Sequence, residues 1–200
     1  MYSEELKTTI KEHLKQTLSP HRYKHVLGVA QAARKLAAAY GGDVDQAEVA
    51  GLLHDAAKQM ELPAMQKLAW KSFGNTLPDT IVSIGSLLHG YAAVTIAKEQ
   101  YGIDDAELLA ALAHHTTGAE HMGTLEKIIF VADYIEVNRD FDGVDKLRQA
   151  AAEDLDKAVL AGYDSTIVHL LEQGKTIYVG TIVNRNAQIA AMKKEQIHHG

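Results

Sequence analysis

His54 and Asp55 are adjacent ionisable residues within an apolar stretch, AEVAGLLHDAAKQM, at residues 47–60. The helical periodicity of this stretch predicts a buried helix with both residues in its middle. A carboxylate or imidazole among Leu and Ala side chains is costly unless a partner satisfies it. Neighbouring side chains on a helix diverge by about 100°, so a cation lying between them is a partner that both can reach. The pair therefore predicts a metal site with further ligands elsewhere in the chain.

Two other ionisable residues also lie on apolar faces. His25 shares a helical stripe with Val29, Ala32 and Leu36, which is the pattern of the core-facing side of an amphipathic helix. Asp133 lies within LEKIIFVADYIE, and no Lys or Arg occurs between Lys127 and Arg139 to pair with it. Because Asp is almost never fully buried without a partner, we expect a metal or a distant His beside it.

Histidines near predicted helix ends complete the candidate set. His89 lies in SLLHGYAA and the pair His114–His115 in ALAHHTTG. Imidazole and carboxylate ligands suit iron, zinc or manganese, and the absence of Cys removes thiolate sites and Cys nucleophiles. The candidates are too many for one tetrahedral ion with an open position, and they fit two ions bridged by a carboxylate.

The remaining pattern predicts an all-α bundle that forms one domain over residues 1–200. Ser19-Pro20 predicts the start of a helix that ends at Gly41-Gly42. Capping-box-like spacings, Asp45 with Glu48 and Asp104 with Glu107, predict two further helix starts. We expect short helices after Pro63 and Pro78. Later helices are predicted near 88–101, 104–117, 124–137, 144–152, 154–173 and 178–197. The core that carries the motifs spans about 20–150, and the helices of about 150–197 pack on it or form the surface of a homodimer.

Charge and hydropathy narrow the possible partners. The 200 residues carry a formal net charge of −6 and no long Lys/Arg cluster, which argues against a nucleic-acid partner. No apolar run approaches the roughly 20 residues that span a bilayer, and the amphipathic start MYSEELKTTIKEHLKQ is unlike a secretory signal. We therefore expect a cytoplasmic protein without a membrane partner.

The motifs resemble those of the HD-domain superfamily of metal-dependent phosphohydrolases, named for the adjacent His-Asp. Within it, RYKHVLGVA, HDAAK, LLHG, HHTTG, LEKIIFVADYIE and NRDFDGVDKLR, spanning residues 22–148, are similar to the YqeK family. That resemblance implies symmetric cleavage of diadenosine tetraphosphate into two ADP at a dinuclear centre, with iron as the expected metal and manganese or zinc as alternatives. The chain departs from the family in reading EVNR and FDGV where Pro is usual, which leaves the rigidity of the loop near Arg139 open.

The resemblance also implies roles for individual residues. Metal one would be held by His25, His54, Asp55 and Asp133, and metal two by His89, His115 and the bridging Asp55. A hydroxide between the two ions would attack a central phosphorus, with Asp55, Asp133 and Lys58 as the predicted catalytic residues. His115 is assigned as a ligand in preference to His114 because it directly precedes TTG. The predicted substrate contacts are Arg22, Lys58, His114, Thr116, Thr117 and Arg139.

Three alternatives remain open from the sequence. The first is an HD phosphohydrolase acting on another nucleotide, such as a nucleoside monophosphate, a cyclic dinucleotide or an alarmone. The second is an HD-fold oxygenase. The third is a nucleotide-binding module without turnover, against which the full ligand set argues.

Overall fold

The computed structural model describes residues 2–198, in which every regular element is an α-helix, as the sequence predicts. The helices are α1 (Glu4–Thr17), α2 (Pro20–Tyr40), α3 (Val44–Leu53), α4 (Leu62–Phe73), α5 (Asp79–Ser83), α6 (Gly85–Tyr101), α7 (Ala106–His114), α8 (Thr124–Ile135), α9 (Val144–Glu153), α10 (Leu155–Glu172) and α11 (Val179–His198). None of the helices in this range is both long and apolar enough to cross a membrane.

Helix starts follow the local capping chemistry. The Ser19 side chain accepts a hydrogen bond from the Arg22 backbone N–H, and Gly41 ends α2 in the left-handed conformation, which confirms both predicted ends. The predicted capping boxes at Asp45 and Asp104 are wrong. Asp43 and Asp105 are the N-caps of α3 and α7, because each accepts from two backbone N–H groups in the first turn.

The helix that carries His54 is shorter than the apolar pattern predicts. It ends at Leu53, and residues 54–59 form turns. The Nδ1 atom of His54 lies 2.7 Å from the carbonyl oxygen of Gly51, which a continuing helix would pair with the backbone N–H of Asp55. The backbone continues instead through shorter-range hydrogen bonds, from Ala56 to Leu53 and from Lys58 to Asp55. His54 and Asp55 thus lie at the end of a helix, not in its middle.

Two apolar clusters hold the helices together. The larger one gathers buried side chains from α1, α2, α3, α7, α8 and α10, together with Val94 and Ala97 of α6 and Ala151 of α9. The smaller one joins α4 and α5 to the other face of α6. The helices meet at one interior region, which is approached by the second turn of α2, the first turns of α6, the last turn of α8 and the C-terminal ends of α3 and α7.

Candidate metal centre

Five elements each contribute to a buried cluster of histidines and aspartates. His25 comes from α2, His54 and Asp55 follow α3, and His89 lies in α6. His115 is the C-cap of α7, and Asp133 lies in α8. The four histidines and Asp55 are each at most 5% exposed, and the Asp133 side chain is 21% exposed. The structure thus brings all six predicted ligands together, whereas their assignment to particular ions remains a prediction.

The two carboxylate oxygens of Asp55 face two different pairs of imidazoles. Oδ1 lies 3.0 Å from Nε2 of His89 and 3.7 Å from Nε2 of His115. Oδ2 lies 3.5 Å from Nε2 of His54 and 3.7 Å from Nε2 of His25. A carboxylate with this arrangement has one oxygen available to each of two cations.

Asp133 completes the half of the cluster that contains His25 and His54. Its Oδ1 atom lies 3.0 Å from Nε2 of His25 and 3.9 Å from Nε2 of His54. On the other half, ligand atoms of Asp55, His89 and His115 all lie within 4.8 Å of one another. Each half therefore offers at least three N or O donors, the types that bind iron, zinc or manganese.

Hydrogen bonds at Nδ1 orient the rings of His54 and His115. Nδ1 of His54 lies 2.7 Å from the Gly51 carbonyl oxygen, and Nδ1 of His115 lies 2.8 Å from the Leu112 carbonyl oxygen. With Nδ1–H donated to these acceptors, the Nε2 lone pairs face the cluster. Among residues 2–198, Nε2 of His25 and of His54 is buried without a hydrogen-bond partner. Buried, unpaired lone pairs beside two carboxylates fit a bound cation.

Close packing of α6 against α7 brings His89 and His115 together. Their Nε2 atoms are 2.8 Å apart. A Cβ atom on Gly90 would lie 2.5 Å from the Leu112 carbonyl oxygen and 3.1 Å from the His115 ring. Any larger residue at this position would therefore separate the two helices that carry this half of the cluster.

Burial and the neighbouring side chains together determine the ionisation of the cluster. Burial lowers the pKa of both His54 and His89 from 6.5 to about 4, so both imidazoles are neutral at pH 7 and able to act as ligands. Burial opposes ionisation of Asp55, but His54, His115 and His89 together hold its pKa well below the usual range. Asp55 is therefore a carboxylate that faces the neutral imidazoles of His54 and His89.

Three predicted substrate-contacting cations lie directly at the cluster. Nη1 of Arg22 is 2.7 Å from Oδ2 of Asp55, and Nη2 of Arg139 is 2.6 Å from Oδ1 of Asp133. Nζ of Lys58 is 3.4 Å from Nε2 of His89, and burial lowers the pKa of this lysine. The structure therefore gathers these side chains at the site, and their contact with substrate remains a prediction.

The other predicted contacts lie in the last residue of α7 and just beyond it. Nδ1 of His114 is 2.6 Å from Oε1 of Glu126, whose other oxygen accepts a hydrogen bond from the Gly123 backbone. Thr117 is buried and its hydroxyl donates to the Gly118 carbonyl oxygen, while Thr116 is half-buried. These roles stay predictions.

Two residues that were not predicted from the sequence support the centre. Glu136 is 2% exposed, and its Oε1 lies 3.2 Å from Nδ1 of His25. Arg148 donates to the carbonyl oxygens of Ile135, Glu136 and Arg139, and so holds the turn that follows α8. The available signal for Glu136 was its position three residues after Asp133, on the same side of the helix.

The helical fold encloses a buried His/Asp cluster that is suited to hold metal ions between helices. Comparison with known proteins defines the family. The HD domain model matches residues 22–138, more than half of the chain. The chain belongs to the HD domain family.

Individual relatives extend the match beyond that range. A symmetrical bis(5'-nucleosyl)-tetraphosphatase from Halalkalibacterium halodurans is 38% identical over 180 residues, which cover 90% of this chain and 95% of the relative. A Staphylococcus aureus protein of the same name is 41% identical, with 84% of this chain and 87% of the relative covered. A crystal structure of a predicted HD superfamily hydrolase involved in NAD metabolism, from Clostridium acetobutylicum, superposes with a TM-score of 0.88 at 42% identity. That match covers 96% of this chain and 99% of the other.

Proposed function

We propose that this protein is a metal-dependent hydrolase that cleaves diadenosine tetraphosphate symmetrically into two molecules of ADP. The proposal depends mainly on the position of the Asp55 carboxylate. One of its oxygens faces His89 and His115, and the other faces His25 and His54. The similarity to symmetrical tetraphosphatases over most of both chains supports this substrate.

The proposed centre holds two metal ions with Asp55 between them. His25, His54, Asp55 and Asp133 would hold one ion, and His89, His115 and Asp55 the other. Iron is the proposed metal, with manganese and zinc as alternatives that share the same donor preference. When bound, such ions lower the pKa of water and neutralise negative charge on phosphates.

The chain's own cations would bind the polyphosphate. Arg22 lies beside Asp55, Arg139 beside Asp133 and Lys58 beside His89. Guanidinium groups match phosphate oxygens in two-point hydrogen bonds, and an ammonium adds a point charge. Cations at three positions around the cluster support binding of several phosphates at once, with the central phosphates nearest Asp55. Asp133 would orient the nucleophile.

The proposal also includes a single domain over residues 1–200, a cytoplasmic location, a homodimer and the lack of a nucleic-acid or membrane partner. Size-exclusion chromatography with light scattering measures the oligomeric state. Packing of α10 on α8 and α9 supports one unit over the helices that follow the family match.

The test is chromatographic product analysis with diadenosine tetraphosphate. Protein is loaded anaerobically with Fe²⁺, or in parallel with Mn²⁺ or Zn²⁺, and Asp55→Ala is the control. ADP as the sole product, lost in Asp55→Ala, is the expected result. ATP plus AMP would contradict symmetric cleavage. No turnover with any of the metals would overturn the substrate and direct the search to other nucleotides.

A further inference from the structure

A cavity of about 310 Å³ lies beside the metal centre, between the end of α8 and the middle of α10. It is lined by Tyr134, Arg139, Phe141, Ser165, Thr166, His169 and Leu170. None of these residues except Arg139 belongs to the predicted site. The volume is at the lower limit of small-molecule sites, about 300–1,000 Å³, so it suits one nucleoside better than a whole dinucleotide.

Arg139 connects this cavity to the cluster. Its Nη2 atom lies 2.6 Å from Oδ1 of Asp133, and its Nε atom donates to the Asp133 carbonyl oxygen at 2.7 Å. The same side chain is part of the cavity wall. A ligand that occupies the cavity therefore has a guanidinium between itself and the metal centre, where the phosphates of a nucleotide would lie.

The lining chemistry is that of a nucleoside site. Tyr134 and Phe141 supply aromatic surface, and the ring of Tyr134 is fixed by packing against Phe130 at a centroid distance of 5.3 Å. The Tyr134 hydroxyl is hydrogen-bonded to Thr166, so the side chain is held at both ends. Aromatic faces bind nucleobases by stacking. Ser165 and His169 add polar groups of the kind that contact a ribose or the edge of a base.

Another cavity of the molecule does not share this relationship. It has a volume of about 430 Å³ and lies between α1, α4 and α6. Its lining includes Lys67 and Lys71 but none of the residues that contact Asp55 or Asp133. A nucleotide bound there would have no arginine linking it to the cluster.

We propose that the cavity between α8 and α10 binds the base and ribose of one ADP arm of the substrate, while Arg139 binds the adjoining phosphates. This assignment rests on the proposed function. It makes Phe141 and His169 contacts for the nucleoside. Neither residue has a role predicted from the sequence, because each lies outside the buried apolar patterns that identified the metal ligands.

The test compares ADP with inorganic pyrophosphate, which has the phosphates but no nucleoside. Calorimetry measures the binding of each to Mn²⁺-loaded protein. We expect the wild-type protein to bind ADP more tightly than pyrophosphate. Phe141→Ala should weaken ADP binding about tenfold. Because this substitution leaves the phosphate contacts unchanged, Phe141→Ala should bind pyrophosphate as the wild type does. His169→Ala, at an exposed side chain that can be replaced without loss of the fold, is expected to weaken ADP binding severalfold in the same selective way.

The matched control is Val168→Ala, since Val168 is adjacent on α10, 52% exposed and outside the cavity lining. It should bind both ligands as wild type does. Equal weakening of ADP and pyrophosphate in the two cavity variants would overturn the proposal, as would unchanged ADP binding in both. A wild-type protein without preference for ADP over pyrophosphate would overturn it too.

Failure of this proposal and failure of the proposed function are distinguishable. Turnover of diadenosine tetraphosphate to ADP with unchanged ADP affinity in the variants would leave the hydrolase and remove the nucleoside cavity. Selective loss of ADP binding in the variants of a protein that does not cleave diadenosine tetraphosphate would leave the cavity and remove the substrate.

Discussion

Oε1 of Glu136 lies 3.2 Å from Nδ1 of His25, so a buried carboxylate orients one of the predicted metal ligands. The other oxygen of Glu136 accepts two hydrogen bonds from Asn138, both of 2.8 Å. Gly28 makes room for this approach, because a Cβ atom there would lie 2.1 Å from Oε2 of Glu136. His25 and Gly28 are one turn apart on α2, which thus supplies both the ligand and the space for its support.

We expect Glu136→Gln to weaken metal binding about tenfold or more. Asn138 donates twice to one carboxylate oxygen, and His25 can donate to the other. A Gln amide has only one oxygen, so its NH₂ must face one of these donors. The His25 ring then loses its partner or the turn after α8 is disturbed. Competition against a chelator of known affinity measures the change.

Two further variants serve as a negative control and as an independent test of this contact. Glu120→Gln removes an exposed carboxylate and should leave the affinity unchanged. Gly28→Ala should lower the affinity as Glu136→Gln does, since the added methyl group would clash with Oε2 and displace it. Wild-type affinity in both Glu136→Gln and Gly28→Ala would show that the contact has no influence on the metal.

Asp55→Asn is expected to lose both metal ions, whereas His89→Gln should lose only one. The reason is that each Asp55 oxygen faces one half of the cluster, while His89 contacts only Oδ1. Elemental analysis of protein after metal loading and gel filtration gives the number of ions per chain. Two ions retained in Asp55→Asn would contradict a bridging position for this carboxylate.

The sequence predicted the cluster because its members conflict with their surroundings. His25 and Asp133 are polar residues on apolar faces, and such conflicts can be found without a structure. The end of α3 at Leu53 could not be found in this way, because the apolar pattern continues past it and the break depends on a side-chain contact, from His54 to Gly51. Glu136 escaped prediction because an acidic residue at the end of a helix usually lies in solvent, and only the approach of α2 buries it.

Arg139→Lys tests whether the guanidinium shape matters as well as its charge. The arginine contacts both the side chain and the carbonyl oxygen of Asp133, and a lysine cannot reproduce this two-point geometry. We expect kcat/KM for diadenosine tetraphosphate to fall about 10- to 100-fold while metal content stays at the wild-type level. Steady-state kinetics gives the first quantity and elemental analysis the second.

Arg185→Lys is the control for that experiment. Arg185 pairs with Asp164 on the outer side of α10, so its replacement should leave kcat/KM unchanged. A parallel loss in Arg185→Lys, or wild-type kinetics in Arg139→Lys, would argue against a phosphate-binding role for the Arg139 fork.

A second polar cluster, away from the metal centre, predicts a pH dependence of stability. Lys7 is 1% exposed and pairs with Glu4, Asp45 and Glu48. Burial opposes ionisation of Glu48, but hydrogen bonds from Lys11, Lys7 and Arg34 prevail and lower its pKa from 4.5 to about 2. A carboxylate whose pKa is lower in the folded state adds stability above its unfolded pKa, and this contribution disappears as the pH falls toward its folded pKa.

Glu48→Gln should therefore lower the free energy of unfolding by about 2 kcal/mol at pH 7, the scale of hydrogen bonds to charged groups. The difference between wild type and Glu48→Gln should stay constant down to about pH 4.5 and shrink as the pH falls from there toward 2. Urea unfolding of metal-free protein at several pH values between 7 and 3 measures it, with Glu12→Gln on the exposed side of α1 as the control. A difference that stays constant or grows below pH 4.5 would contradict the lowered pKa, because a Glu48 with the same pKa in the folded and unfolded states would be protonated equally in both and would lose no stability relative to Gln.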